Sequence, residues 1–179
     1  MKMIEPHFPI LADPSAPVMT LLAKLGICAT THEHIALHTV AESRAHRLNM
    51  PGAHTKNLFV KDKASALYLI TAEEESPLDL KAMDKVVGAK GRLSFASAEQ
   101  MMTHLGIAPG SVSPLALVNE TSGAVRFIIE KKLLDADLIN VHPLTNTRTT
   151  ALPPADLLAF LDATGHQPLI TDLPYRSDT

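Results

Sequence analysis

Apolar and polar residues alternate through His54-Thr55-Lys56-Asn57-Leu58-Phe59-Val60-Lys61-Asp62, with Leu58 and Val60 on one face and Asn57, Phe59 and Lys61 on the other. Period-two alternation over so short a run predicts a half-buried strand. Asp62-Lys63-Ala64-Ser65 supplies turn-prone residues, and Ala66-Leu67-Tyr68-Leu69-Ile70-Thr71 a second strand. The simplest object is a β-hairpin with a cation and a carboxamide side by side at its entrance. Neighbours in a strand point to opposite faces, so Lys56 and Asn57 diverge unless a twist or bulge re-aims one.

Upstream, residues 1–12 read as a loosely held lead-in. Asp13-Pro14-Ser15-Ala16-Pro17 carries cap and first-turn residues for a helix through Val18, Leu21, Leu22 and Leu25 that Gly26 ends. Ile27 to Ala36 contains β-formers and predicts a strand, a polar one because of His32, Glu33 and His34. Thr39-Val40-Ala41-Glu42 has the spacing to cap a short helix.

Downstream of the hairpin, Glu73 to Pro77 is expected to be a solvated loop. Leu80 to Val87 predicts a short amphipathic helix closed by Gly88, and Arg92 to Phe95 a brief extended segment. Ser97-Ala98-Glu99-Gln100 has capping-box spacing and opens a helix through Met101, Met102 and Leu105 to Gly106. After the turn at Ala108 to Ser111, strands are expected at Leu115 to Val118, Val125 to Ile129 and Leu138 to Val141. Leu152 to Asp156 starts a last helix through Leu157, Leu158, Phe160 and Leu161 that ends near Gly165. Strands and helices mix without strict βα alternation, and no repeat or linker interrupts them. That predicts a mixed α/β (α+β) fold in one compact domain, residues 1–179, with a central mixed sheet flanked by helices.

Composition narrows the function. The chain has 179 residues, 46% of them hydrophobic, so a real core is available; with 4% aromatics and no Trp it must rest on Leu, Ile, Val, Ala and Met. A formal net charge of −3 excludes a general polyanion binder. Contact with RNA would have to use a local patch and a small recognised end. No apolar run reaches membrane-spanning length, and Met1 to Pro6 has no signal-peptide core, so the expectation is a cytoplasmic protein. Cys28 is the only cysteine, which rules out an internal disulfide and any multi-Cys zinc site.

The remaining candidates are weighed by what their chemistry requires. His32, His34 and His38 cluster, but no HExxH or CxxC spacing accompanies them, and no metal is expected. Cys28, between Ile27 and Ala29, is expected to be an inert core thiol. Gly110-Ser111-Val112-Ser113-Pro114 ends in the wrong residue for a nucleophile elbow. Glu74 and Glu75 are expected at the solvated surface. What is left is Lys56-Asn57, the rigid turn Gly110 to Pro114, and the polar stretch His142-Pro143-Leu144-Thr145-Asn146-Thr147, a set without a protein nucleophile. Such a set works by positioning water and stabilising an oxyanion.

Four ordered motifs, Thr55 to Asp62, Leu93-Ser94-Phe95-Ala96-Ser97, Gly110 to Pro114 and His142 to Thr147, together resemble the YbaK/prolyl-tRNA editing superfamily, and within it the free-standing alanyl-tRNA(Pro) deacylases. The resemblance runs from about Leu21 to Gly165. It implies a single-domain α/β cytoplasmic enzyme that hydrolyses mischarged Ala-tRNA(Pro), editing in trans for prolyl-tRNA synthetase. The need for editing is physical, because a pocket for proline cannot strongly exclude a smaller side chain.

By the same resemblance Lys56 matches the family's principal functional residue, with Asn57 beside it. Gly110, Ser111, Val112, Ser113 and Pro114 line the aminoacyl site through their backbone, and His142 and Asn146 match polar pocket positions. Lys56 would stabilise negative charge near the terminal adenosine while water attacks with help from the substrate 2′-hydroxyl. The implied partners are the tRNA(Pro) acceptor end and prolyl-tRNA synthetase, with no cofactor, membrane or DNA. His38 and Arg148 depart from the family's usual residues, near the expected pocket or acceptor stem. The alternatives are the same fold acting on Cys- or Ser-tRNA, a non-catalytic tRNA- or synthetase-binding module, and a small-molecule binding protein.

Overall fold

The computed structural model describes residues 12–46 and 50–177. The expected lead-in lies outside them except for Ala12. The elements are α1 (Ala16–Lys24), β1 (Thr30–Glu33), α2 (Val40–His46), β2 (Ala53–Lys61), β3 (Leu67–Glu73), α3 (Leu80–Val87), β4 (Ser94–Phe95), α4 (Ala98–Leu105), β5 (Val125–Glu130), β6 (Ile139–Val141), β7 (Arg148–Leu152), α5 (Pro154–Ala163) and β8 (Leu169–Thr171). Two 3-10 turns, Pro114–Asn119 and Lys131–Asp135, flank β5.

Local chemistry sets the helix ends. Ser97 Oγ accepts from Gln100 N at 3.1 Å while Gln100 Oε1 accepts from Ser97 N at 2.9 Å, so the expected capping box opens α4. Asp79 caps α3 by accepting from Lys81 N at 3.0 Å, and α3 and α4 stop at Gly88 and Gly106.

The strands form one mixed sheet in the order β1-β7-β6-β2-β3-β5-β8. β2 and β3 make the expected antiparallel hairpin, with Asn57 opposite Thr71 and Lys56 opposite Ala72. β3–β5, β5–β8 and β2–β6 are parallel, and β1–β7 and β6–β7 antiparallel. On the side of β2 away from β3, β6 pairs at Ala53 and His54, and β4 pairs at Val60 and Lys61. Among the described residues no strand pairs with that side between Thr55 and Phe59. This gap positions the site.

Both faces of the sheet are covered. Phe59, Leu69, Phe127 and Ile129 pack with Val18, Leu115, Leu157 and Phe160 from α1, the first 3-10 turn and α5. Val60, Tyr68, Ile70 and Ile128 pack with Met83 and Val87 of α3 and with Leu173. The half-buried expectation for β2 therefore gives way at its C-terminal end, where Phe59 and Val60 are both 1% exposed. β3 is buried from Leu67 to Ala72, the continuous apolar run of a strand covered on both sides. Each such buried Leu or Ile contributes about 1.5–3 kcal/mol.

Several expectations are corrected. Leu115 to Val118 is a 3-10 turn, because Pro114 occupies its first turn and Ser113 Oγ accepts from Leu115 N at 3.2 Å. Four consecutive apolar residues cannot by themselves distinguish the two conformations. The strand expected over Ile27 to Ala36 contracts to four exposed residues, and Cys28 before it is exposed rather than a core thiol. Glu73 belongs to β3, and Glu74 and Ser76 are buried, so the stretch after the hairpin is not a solvated loop. The turn Lys131–Asp135 and strands β7 and β8 carry too little local periodicity to be foreseen.

Candidate functional site

A cavity of about 310 Å³ opens beside the gap on β2. Its floor comes from β2, through His54, Thr55, Lys56 and Asn57, and one wall from Asn140, Val141 and His142 at the end of β6. Gly110 and Val112 close a second side, and Leu37, His38 and Thr39 ahead of α2 a third; Met50, Glu74 and Thr149 complete it. Lys56, Asn57, Gly110, Val112 and His142, far apart in sequence, thus meet at one cavity.

Alternation along β2 does send Lys56 and Asn57 apart. Asn57 Oδ1 accepts from Thr71 Oγ1 at 2.7 Å across the hairpin. The Lys56 ammonium donates to the Ser76 carbonyl in the segment after β3. Burial lowers the Lys56 pKa, with the Glu130 and Glu73 carboxylates opposing that shift. A lysine held this way is a half-buried charge aimed by its surroundings.

On the facing wall, Thr55 Oγ1 donates to Asn140 O at 2.9 Å and ties β2 to β6 beyond their short ladder. Asn140 Nδ2 donates to Pro51 O at 3.0 Å and Ala53 O at 3.3 Å, which fixes the amide orientation. Its Oδ1 is buried and makes no hydrogen bond among the described groups. His142 Nδ1 lies 2.9 Å from Arg148 O. A carbonyl only accepts, so Nδ1 carries the proton and a neutral ring leaves Nε2 as an acceptor. Burial lowers the His142 pKa, the Arg148 carbonyl works against it, and His34, 6.3 Å away ring to ring, adds to the lowering.

Other expected positions stand elsewhere. Ser111, Ser113 and Pro114 are buried and do not line the cavity; Ser113 and Pro114 shape the start of the 3-10 turn. Gly110, at φ +94°, has space around it, with only Asn146 Nδ2 standing 4.0 Å from a Cβ placed there. Asn146 does not line the cavity either, and its carbonyl accepts from Leu37 N at 3.4 Å. Arg148 is committed to the start of α1, donating to Asp13 Oδ2 and Ser15 Oγ, each at 2.8 Å. Those contacts, Arg148 foremost and then Ser15, hold the Asp13 pKa down at about 2.

Glu74, Asn140, Thr55 and Thr149 line the cavity, although none of them was expected as a site residue. For Asn140 a signal existed, a carboxamide inside an otherwise apolar strand. For Glu74 the acidic run Glu73-Glu74-Glu75 concealed it. Among the described residues no three His, Cys, Asp or Glu side chains are grouped to hold a metal, and no helix is long and apolar enough to cross a membrane.

Residues 34–160 match the family model of the aminoacyl-tRNA editing domain. The chain is 36% identical over 163 residues to the prolyl-tRNA synthetase associated domain-containing protein 1 of Bos taurus, covering 89% of this chain and 95% of that protein. It is 30% identical over 155 residues to the prolyl-tRNA editing protein ProX of Acetoanaerobium sticklandii, covering 86% and 94%. The fold is shared with a crystal structure described as a candidate trans-editing enzyme for prolyl-tRNA synthetase, at TM-score 0.70 and 23% identity, covering 93% of this chain and 99% of that one.

Proposed function

The chain belongs to the aminoacyl-tRNA editing domain family, and we propose that it hydrolyses mischarged Ala-tRNA(Pro) in trans, in the cytoplasm, alongside prolyl-tRNA synthetase. The observation that carries this reading is the cavity on the open side of β2. There a half-buried cation, a turn led by Gly110 and a half-buried imidazole converge without a serine or cysteine nucleophile.

In that cavity the terminal adenosine enters along β2 and Lys56 faces the negative charge of its phosphate and of the developing oxyanion. Backbone groups at Gly110 to Val112 orient the ester. Water adds to the ester carbonyl, the substrate 2′-hydroxyl assisting its deprotonation. The tetrahedral intermediate then breaks the bond to the ribose 3′-oxygen, which takes up a proton, and alanine leaves as the free acid. Asn57 fixes the floor through Thr71, and His142, with Nε2 as acceptor, orients water or the ribose hydroxyls. A volume near 310 Å³, at the low end for ligand pockets, suits a terminal nucleoside with a small amino acid. The 2′-hydroxyl makes the substrate RNA rather than DNA.

The test is hydrolysis of preformed Ala-, Cys-, Ser- and Pro-tRNA(Pro), with Ala-tRNA(Ala) as control. Fast loss of alanine from tRNA(Pro) with Pro-tRNA(Pro) spared is the expected result. Preference for cysteine or serine would move the substrate, and no hydrolysis of any ester by folded protein would overturn the enzyme reading in favour of a tRNA- or synthetase-binding module. Lys56→Ala should lower the rate by roughly 10²–10³, the usual cost of losing one oxyanion-stabilising group. A folded Lys56→Ala protein at wild-type rate would remove Lys56 from the mechanism.

A further inference from the structure

The carbonyl that receives the Lys56 ammonium belongs to Ser76, and Ser76 is itself held from below. Its Oγ donates to the Glu130 carboxylate, 3.0 Å from Oε1 and 2.9 Å from Oε2. Ser76 and Glu130 are each 1% exposed. Glu130 also accepts from Glu73 N at 2.8 Å and from the Tyr175 hydroxyl. Tyr175 comes from the C-terminal segment, which closes over the residues after Ser76 with Asp79 N donating to Pro174 O at 2.7 Å and Arg176 N donating to Pro77 O at 2.8 Å. Three donors therefore converge on one buried carboxylate at the end of β5.

Resting on the reading that Lys56 acts in deacylation, we infer that Glu130 is a positioning residue for it: with Ser76 and Tyr175 it forms a clasp that fixes the Ser76 carbonyl, and thereby the Lys56 ammonium, beside the cavity. Glu130 does not line the cavity and is not a catalytic residue. Its role is geometric, since a flexible four-carbon stem places its charge only where the acceptor stands. It is also electrostatic. The charged groups facing Lys56 are Glu130 at the end of β5, Glu73 at the end of β3, Lys132 in the turn after β5 and Arg176 in the C-terminal segment, with Glu74 at the cavity; Glu130 is the largest of the influences favouring the ammonium form.

The experiment compares wild type, Glu130→Gln and Tyr175→Phe, each checked for folding by circular dichroism. Lysine ε-carbons are labelled with carbon-13, the Lys56 signal is assigned by its loss in Lys56→Arg, and its titration midpoint is read by NMR. In parallel, kcat and KM for Ala-tRNA(Pro) are measured. The expected result in Glu130→Gln is a Lys56 midpoint moved to lower pH and a kcat at least tenfold down with KM within about twofold. Tyr175→Phe, which deletes one hydroxyl of a residue that is 45% exposed, should shift both in the same direction by less. A midpoint unchanged in folded Glu130→Gln, or an unchanged kcat, overturns the inference. If wild type hydrolyses no ester, the deacylase reading fails by that result, while the Lys56 midpoint still decides whether the clasp holds the ammonium.

Discussion

Glu120→Gln isolates a buried carboxylate that anchors the end of the turn leading from the candidate site into the core. Glu120 directly follows the 3-10 turn Pro114–Asn119 and is 3% exposed. Its Oε2 lies 2.8 Å from His166 Nε2 beyond α5 and accepts from Gly123 N at 3.1 Å. Its Oε1 accepts from Ser122 N at 3.0 Å and from the Ser122 hydroxyl. Burial by itself pushes this carboxyl up, but the Ser122 and His166 contacts outweigh it and hold the pKa at about 2, against 4.5 for a free glutamate.

The direction of the pH effect follows from that depression. A group whose folded pKa lies below its unfolded value contributes stability above the unfolded pKa and loses it as pH falls toward the folded one. Here the window runs from about 4.5 down to about 2. A depression of this size corresponds to about 3 kcal/mol. Urea unfolding of wild type and Glu120→Gln, followed by far-ultraviolet circular dichroism at pH 6 and pH 2.5, measures it. The stability gap between the two proteins should shrink by about 2–3 kcal/mol at the lower pH. Asp13 titrates in the same range but is common to both proteins and cancels. An equal gap at both pH values would refute the reasoning, because the contribution would then not come from the ionised form.

Gly52→Ala should destabilise by roughly 2–4 kcal/mol in urea unfolding, because at φ +104° the new Cβ would lie 2.6 Å from Leu138 O and 2.8 Å from Leu138 Cβ; wild-type stability would mean that β2 and β6 can part there. Deacylation that depends on neutral His142 should persist below pH 6.5 and fall only at lower pH, since burial lowers that pKa; a His142-dependent midpoint above 6.5 in the pH–rate profile would contradict the burial argument. Cys28, exposed, should react with a thiol reagent in the native protein as fast as in urea, and Cys28→Ser should change stability by less than about 0.5 kcal/mol. Protection of the thiol in the native state would restore the buried strand expected from the β-forming residues of Ile27 to Ala36.

What the sequence determined by itself was local. Alternation in β2 settled the divergence of Lys56 and Asn57, capping residues settled α3 and α4, and the four motifs settled the family, all within spans where neighbours along the chain are the relevant partners. Tertiary structure decided what depends on distant pairing. Among the described residues β2 is open between Thr55 and Phe59 because β6 and β4, from different parts of the chain, stop short of each other on its side. Leu115 to Val118 could have paired as a strand, but Pro114 and the core between α1 and α5 made them a 3-10 turn. Glu74 and Glu130 carry ordinary polar signatures, and no local pattern states that they will be buried. Burial is a property of the whole packing, and so is the place where a charged side chain finds its partner.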